Sequence, residues 1–172
     1  MTTPPFAPVR DIDIEVVSSQ LGREARGVVG IAARCVCGNP TVVATSPRLP
    51  DGTPFPTFYY LTHPAATAEM SRLEVGQVMV ELQQRLADEP EFAAHYLRAH
   101  EAFIADRAQF GDVPEIDGIS AGGMPTRVKC LHALAGHALA AGAGVNPVGD
   151  AALARSAWSP ERCECAEPGK AG

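Results

Sequence analysis

Lysine, aromatic residues and long apolar runs are all scarce in this sequence. Only Lys129 and Lys170 among its 172 residues are lysines, aromatic residues contribute 6%, and the net charge is −6. Proteins that bind the phosphate backbone of nucleic acids present a basic face, so we expect no nucleic-acid partner. No stretch approaches the roughly 18 apolar residues that a membrane span requires. We therefore expect no membrane insertion.

The start of the sequence also lacks the features of a signal peptide. Residues 1–8 include three prolines and have neither a basic start nor an apolar core, which predicts a cytoplasmic protein. In that compartment the five cysteines are expected to be reduced, and their odd number argues against a disulfide scaffold. The preference for arginine over lysine, with abundant alanine, glycine and proline, is typical of a GC-rich bacterial genome.

The distribution of apolar residues predicts a single α+β domain at residues 11–156, between a flexible lead (1–10) and a disordered tail (157–172). Short β-branched segments predict about three antiparallel strands, at 27–34, 41–45 and 57–61. The Cys35–Pro40 segment between the first two is typical of a hairpin turn. Apolar periodicity with proline and glycine stops predicts several covering helices, at 11–21, 64–110 with a break at Pro90, 126–141 and 151–155.

The predicted helix 126–141 carries the residues with the most chemistry, Cys130, His132 and His137. At about 100° per residue, Cys130 and His137 fall within about 20° of each other, whereas His132 falls on the opposite edge of the apolar stripe. Cys130 and His137 are about 10.5 Å apart along the axis, so we expect a substrate, a water or a metal between them rather than direct contact. The alternative is that Cys130 is a small buried apolar residue and that His137 is structural.

The start of this helix is also suited to a thiolate or an anion. The positive end of the helix dipole lowers a thiol pKa, and Arg127 and Lys129 are close to Cys130 in sequence. We predict Cys130 as a thiolate, with His63 or His137 as proton donor or acceptor. The predicted ligand-binding residues are Arg48, Arg127, Lys129, Asn146 and Asp150; the last two also fit turn formation and capping of the final helix.

Metal binding is a further hypothesis, with zinc as the candidate cofactor. The pairs Cys35/Cys37 and Cys163/Cys165 supply four thiolates, but structural zinc sites usually place two to four residues between paired ligands, and the tail would have to be ordered. A mixed site of Cys35, His63, Cys130 and His137 is the other ligand set. Sequence spacing favours neither arrangement.

Several segments together resemble domain-of-unknown-function family 501, small cytosolic proteins of high-GC Gram-positive bacteria. The resemblance runs from about Asp13 to Leu153 and is carried by the segments 20–23, 47–56, 59–64, 122–132 and 144–150. It implies no reaction; it implies gene neighbours that encode a septum-formation initiator and an exopolyphosphatase. Cys35, His63, Cys130, His132 and His137 fall in matching segments, whereas Cys37, Cys163 and Cys165 do not.

The sequence is therefore compatible with three functional hypotheses. The first is a small-molecule or anion-binding domain with a thiol-based activity at the start of helix 126–141. The second is a non-enzymatic protein whose acidic helices bind a protein partner in cell division or the cell envelope. The third is a metal-binding protein that uses cysteine and histidine ligands.

Overall fold

The computed structural model describes residues 3–172, in which a three-stranded antiparallel sheet packs against six helices. The predicted α+β class is confirmed. The strands are β1 (Val28–Arg34), β2 (Pro40–Thr45) and β3 (Tyr59–Leu61), in the spatial order β1-β2-β3. The helices are α1 (Asp11–Leu21), α2 (Pro64–Val75), α3 (Val78–Asp88), α4 (Pro90–Ala108), α5 (Leu131–Ala141) and α6 (Pro147–Ala154).

The central strand β2 is buried along its whole length because both faces of the sheet are covered. On one face, Val17 of α1 packs with Ile31 and Val43 of the hairpin. The other face contributes Val42 and Ala44 to the main core, which the remaining helices complete. The Cys35–Pro40 turn joins β1 to β2 at the edge of this core.

Helix α5 is the element that connects the sheet to the helices. It packs against β3, α2 and α6, and its many alanines allow close approach. The contact with α6 is tight at Gly149, where a Cβ atom would overlap the carbonyl group of Leu134. Helix α5 is therefore held on three sides, and its first turn lies beside the C-terminal half of α2.

Two predicted helix starts are wrong. Helix α5 begins at Leu131 rather than at residue 126, because the amide groups of Arg127 and Lys129 bond back to the carbonyl groups of Gly123 and Gly122. Helix α6 begins at Pro147 rather than at residue 151. Its cap is Asn146, whose side chain accepts the Gly149 amide at 2.9 Å.

The lead and the tail both contact the domain. Residues 1 and 2 of the predicted lead lie outside the described residues, but Phe6 packs against Phe58 and Tyr59. The tail, residues 157–172, has no helix or strand, yet it buries Trp158 and Ala171 and follows the hairpin turn. Within residues 3–172, no helix has the length and apolarity needed to cross a membrane.

Candidate metal centres

The tail returns to the hairpin turn and brings four thiols together. The sulfur atoms of Cys35, Cys37, Cys163 and Cys165 all lie within 4.8 Å of one another. Cys37 Sγ is 3.6 Å from Cys165 Sγ. Four sulfurs placed tetrahedrally at 2.3 Å from a zinc ion are separated by about 3.8 Å, so the four thiols are close enough together to hold a metal ion.

Hydrogen bonds of the hairpin backbone and of the Asn39 side chain fix both halves of this four-thiol cluster. In the hairpin turn, the Cys35 amide donates to the Asn39 carbonyl and the Gly38 amide donates to the Cys35 carbonyl, both at 2.8 Å. Across the gap, the Asn39 side chain donates to the Glu167 carbonyl and accepts the Ala171 amide, both at 2.8 Å. The buried Asn39 therefore holds the tail against the turn that carries Cys35 and Cys37.

Within the cluster, the Cys37 thiol ionises more readily than those of Cys35 and Cys165, whose pKa values burial raises. Burial opposes ionisation of Cys37, but amide groups of Asn39 and Gly169 and neighbouring thiols outweigh it and lower its pKa to about 6. Burial and the adjacent Cys37 raise the pKa of Cys165. Without a cation, the cluster therefore accommodates a single negative charge much more easily than several.

His63 lies beside the cluster as a hydrogen-bond donor. Its Nδ1 atom accepts the Ala65 amide at 3.2 Å, because His63 is the N-cap of α2, and its Nε2 atom is 3.3 Å from Cys165 Sγ. In the neutral ring, the proton is then on Nε2 and points to the sulfur. Trp158 packs on the ring with centroids 5.3 Å apart. Burial lowers the pKa of His63.

A second cluster forms where α2 meets the start of α5. Ligand atoms of Glu74, Cys130 and His132 lie within 4.8 Å of one another. Cys130 is the N-cap of α5 but accepts no hydrogen bond from its amides. Glu74 performs that capping instead, since its Oε1 atom accepts the Leu131 amide at 2.7 Å.

His132 is held at both ring nitrogens. Nδ1 is 3.0 Å from Glu74 Oε1, and Nε2 is 3.1 Å from the Thr67 carbonyl oxygen. A hydrogen bond with Cys130, opposed by burial and reinforced by Glu74, raises the pKa of His132 to about 9. The ring is therefore an imidazolium at neutral pH, placed between a carboxylate and a thiol.

The helical-wheel expectation for Cys130 fails for a local reason. Cys130 has extended backbone angles (φ −150°, ψ 107°) and precedes the helix, so the wheel does not apply to it. It contacts His132, which the wheel placed on the opposite edge. Glu74 was missed altogether, because only the packing of α2 against α5 brings it there.

His137 occupies a different place, in the aromatic core. It is fully buried, stacks on Tyr59 with centroids 5.5 Å apart, and meets Phe103 edge to face. Nδ1 is 3.1 Å from the Asn146 side-chain nitrogen, while Nε2 has no partner within residues 3–172. Burial lowers its pKa to about 4. The structure thus separates His137 from Cys130, and Cys130 in turn from Cys35 and His63.

The predicted ligand-binding residues are likewise dispersed. Arg48 forms an exposed ion pair with Glu115 at 2.8 Å, and the Arg127 and Lys129 side chains are exposed. Asn146 caps α6 as described above. Asp150 lies inside that helix and accepts the Gly144 amide at 2.8 Å. These five residues do not converge on one site.

The fold and the two clusters define a small α+β protein with cysteine-rich candidate metal sites. Residues 31–154 match the family described as Protein of unknown function (DUF501), and the chain belongs to that family. The matched segment includes Cys35, Cys37, Glu74, Cys130 and His132 but ends before Cys163 and Cys165. Comparison with curated proteins and with solved structures yields no match.

Proposed function

We propose that this protein binds one zinc ion through the four-thiol cluster, and that the ion fastens the tail to the β1–β2 hairpin. The observation that carries the proposal is the spacing of the four sulfur atoms, all within 4.8 Å. A four-sulfur tetrahedral set is the ligand set of structural zinc and of iron–sulfur centres. Zinc is preferred here because sulfur atoms this close together surround a single ion, whereas an iron–sulfur cluster would also need room for inorganic sulfides between the thiolates.

The short spacing within each pair is compatible with this proposal. Side chains two residues apart point to the same side of an extended backbone. The Cys163–Cys165 segment has no helix or turn. Cys35 directly follows β1, and Cys37 lies in the hairpin turn. The extended segment therefore accounts for the Cys163/Cys165 pair, and the turn closed by the Gly38–Cys35 hydrogen bond brings the Cys35 and Cys37 sulfurs to the same cluster.

The proposed role of the ion is to replace missing secondary structure. The tail has no strand or helix and buries few large side chains, so hydrophobic burial contributes little to holding it. The metal would join residues that are 128 positions apart in sequence. A link that closes a loop on the order of 100 residues stabilises a fold by about 5 kcal/mol in the chain-entropy treatment.

The experiment is elemental analysis of the full chain purified under reducing conditions without chelator. The Cys163→Ser/Cys165→Ser double variant is expected to contain one zinc ion fewer per chain than the unaltered protein. Cobalt substituted into the unaltered protein should show the absorption of tetrahedral thiolate coordination, and the double variant should lose it. Equal zinc content in both proteins would overturn the proposal, and so would iron in place of zinc.

Disulfide formation among the same thiols is the competing outcome. After chelation and denaturation without reductant, the zinc protein should titrate five thiols, the full cysteine count. A protein with two disulfides in the cluster would titrate one. A count of one in protein freshly purified without reductant would therefore contradict the proposal.

A further inference from the structure

We propose that Glu74, Cys130 and His132 form a second zinc site, with three protein ligands and a fourth position available to a ligand in the adjoining cleft. The cluster supplies a carboxylate oxygen, a thiolate sulfur and an imidazole nitrogen, all ordinary zinc ligands. Three protein ligands with one open position are typical of catalytic rather than structural zinc. This site is separate from the four-thiol cluster.

The orientation of His132 favours metal binding through Nδ1. Zinc-bound histidines usually donate their other ring N–H to a carbonyl or carboxylate. Here Nε2 is 3.1 Å from the Thr67 carbonyl oxygen, so Nδ1 is the nitrogen directed to Glu74, 3.0 Å from its Oε1. The ring thus already has the outer hydrogen bond of a zinc ligand.

The two other ligands are also suitably placed. Cys130 occupies an N-cap position where serine, threonine, aspartate or asparagine is usual, yet its side chain caps nothing. Glu74 uses Oε1 for the Leu131 amide and the His132 ring. Its Oε2 atom has no hydrogen bond in the part of the chain that the structure describes. One sulfur and one oxygen therefore remain for an ion.

The charge of the three ligands, once they have lost their protons, balances that of a dication. When zinc binds, the Cys130 thiol and the Nδ1 atom of His132 each release one proton. The ligands are then a carboxylate, a thiolate and a neutral imidazole, with a combined charge of −2. A zinc ion neutralises that charge without leaving an unpaired one in a site that is only about one-quarter exposed, since Glu74 retains 25% of its side-chain accessibility.

A cleft of about 460 Å³ borders the site. Cys130 and His132 form part of its wall, and the polar groups of Gln20, Thr57 and Thr62 line it as well. The wall of the cleft is more apolar than polar, with Leu21, Leu61 and Ala133 beside these polar residues, and a space of this size admits a small molecule. We infer that the fourth zinc position holds water, or an oxygen atom of such a molecule.

The test is a zinc titration of the full chain against a chromophoric chelator, with Cys130→Ser as the principal variant. Serine is a favoured N-cap residue, so this change preserves the start of α5 while it removes the sulfur ligand. The unaltered protein should bind two zinc ions, and Cys130→Ser should bind one. His132→Gln is expected to give the same loss, and unfolding midpoints will show whether both variants remain folded.

The two proposals fail in distinguishable ways. If the unaltered protein binds one zinc that is lost only in Cys163→Ser/Cys165→Ser, the second site is overturned and the four-thiol site stands. If the single zinc is lost only in Cys130→Ser, the four-thiol site is overturned instead. Unchanged zinc content in Cys130→Ser would also overturn the second site. If Cys130 of the unaltered protein is then alkylated rapidly, the cluster is a thiolate–imidazolium pair instead.

Discussion

His63 Nε2 lies 3.3 Å from Cys165 Sγ while its Nδ1 atom accepts the Ala65 amide. The same ring therefore caps α2 and donates to a thiol of the four-thiol cluster. A donor of this kind reduces the negative charge that four thiolates impose on zinc, and it orients the sulfur. His63 is in this arrangement an outer partner of the metal site rather than a ligand.

Replacement of His63 by alanine is expected to weaken zinc binding at the four-thiol cluster by about 10–100-fold, the usual effect of removing an outer hydrogen bond. The stoichiometry should not change. Competition with a chelator of known affinity measures the effect, and His95→Ala is the matched control because His95 bonds to the Gly144 carbonyl, far along the chain from the cluster. Loss of one whole equivalent of zinc would show instead that His63 is a ligand.

Removal of zinc should release the tail before the rest of the domain unfolds. The ion joins residues 163–165 to the hairpin, whereas the other contacts of residues 159–172 are hydrogen bonds made by Asn39, Arg10 and Val36 and the burial of the small Ala171. We expect chelator to accelerate tryptic cleavage after Arg162 at least tenfold, while cleavage after the exposed Arg26 stays nearly constant. Timed proteolysis with mass spectrometry measures both, and equal acceleration at the two positions would contradict a local release.

Asp13 connects the first helix to the hairpin through two arginines. Its buried carboxylate receives hydrogen bonds from Arg10 and Arg34 at 2.7–3.1 Å, and Arg10 also donates to the Ala171 carbonyl. Asp13→Ala should lower the free energy of unfolding by about 2 kcal/mol. This is less than the full cost of a stranded buried charge, because both guanidinium groups reach solvent.

The Asp13 contribution should depend on pH in a defined direction. Burial alone raises its pKa, but the hydrogen bonds from Arg34 and Arg10 outweigh burial and hold the pKa well below the ordinary value of 3.8. Stability from this carboxylate is therefore complete above that value and is lost as pH falls below it. The free energies of unfolding of the unaltered protein and of Asp13→Ala, measured with denaturant, should converge in acid. Asp11→Ala is the control because Asp11 is exposed.

His137 should make the fold sensitive to mild acid. Its pKa falls from 6.5 in the unfolded chain to about 4 in the core, so between these values the unfolded chain binds a proton that the native state excludes. Stability is then complete above pH 6.5 and decreases by about 3 kcal/mol as pH falls to 4.

The His137→Phe variant keeps an aromatic ring beside Tyr59 and removes the titrating group. The difference in free energy of unfolding between this variant and the unaltered protein should change most steeply between pH 6.5 and 4 and level off below pH 4. His95→Gln alters a half-buried histidine outside the aromatic core and should show little change there. A flat difference profile for His137→Phe would mean that the core admits the proton.

Local sequence predicted the fold well because the signals that define it are local. Glycine and proline mark most element ends, and the apolar, β-branched segments before and after Cys35–Pro40 define the hairpin. The start of α5 was misplaced because residues 126–130 have side chains compatible with a helix. Their amides are instead used by the preceding carbonyl groups of Gly122 and Gly123.

The clusters were less accessible to sequence reasoning because each depends on tertiary packing. Glu74 reaches Cys130 only because α2 lies beside α5, a contact between residues 56 positions apart. The four-thiol cluster depends on whether the tail folds back on the hairpin, and the tail has no periodic pattern to predict that. Asn39 holds the tail in place, but its burial is apparent only once the tail has folded back.

The separation of the two cysteine pairs along the chain also fixes the order of events during synthesis. Cys37 emerges from the ribosome 128 residues before Cys165, a delay on the order of 10 s at usual translation rates. The proposed zinc shell cannot close during that interval. Only chains translated beyond Cys165 would then retain the metal. Chains that end earlier would leave the hairpin without the tail, accessible to proteases.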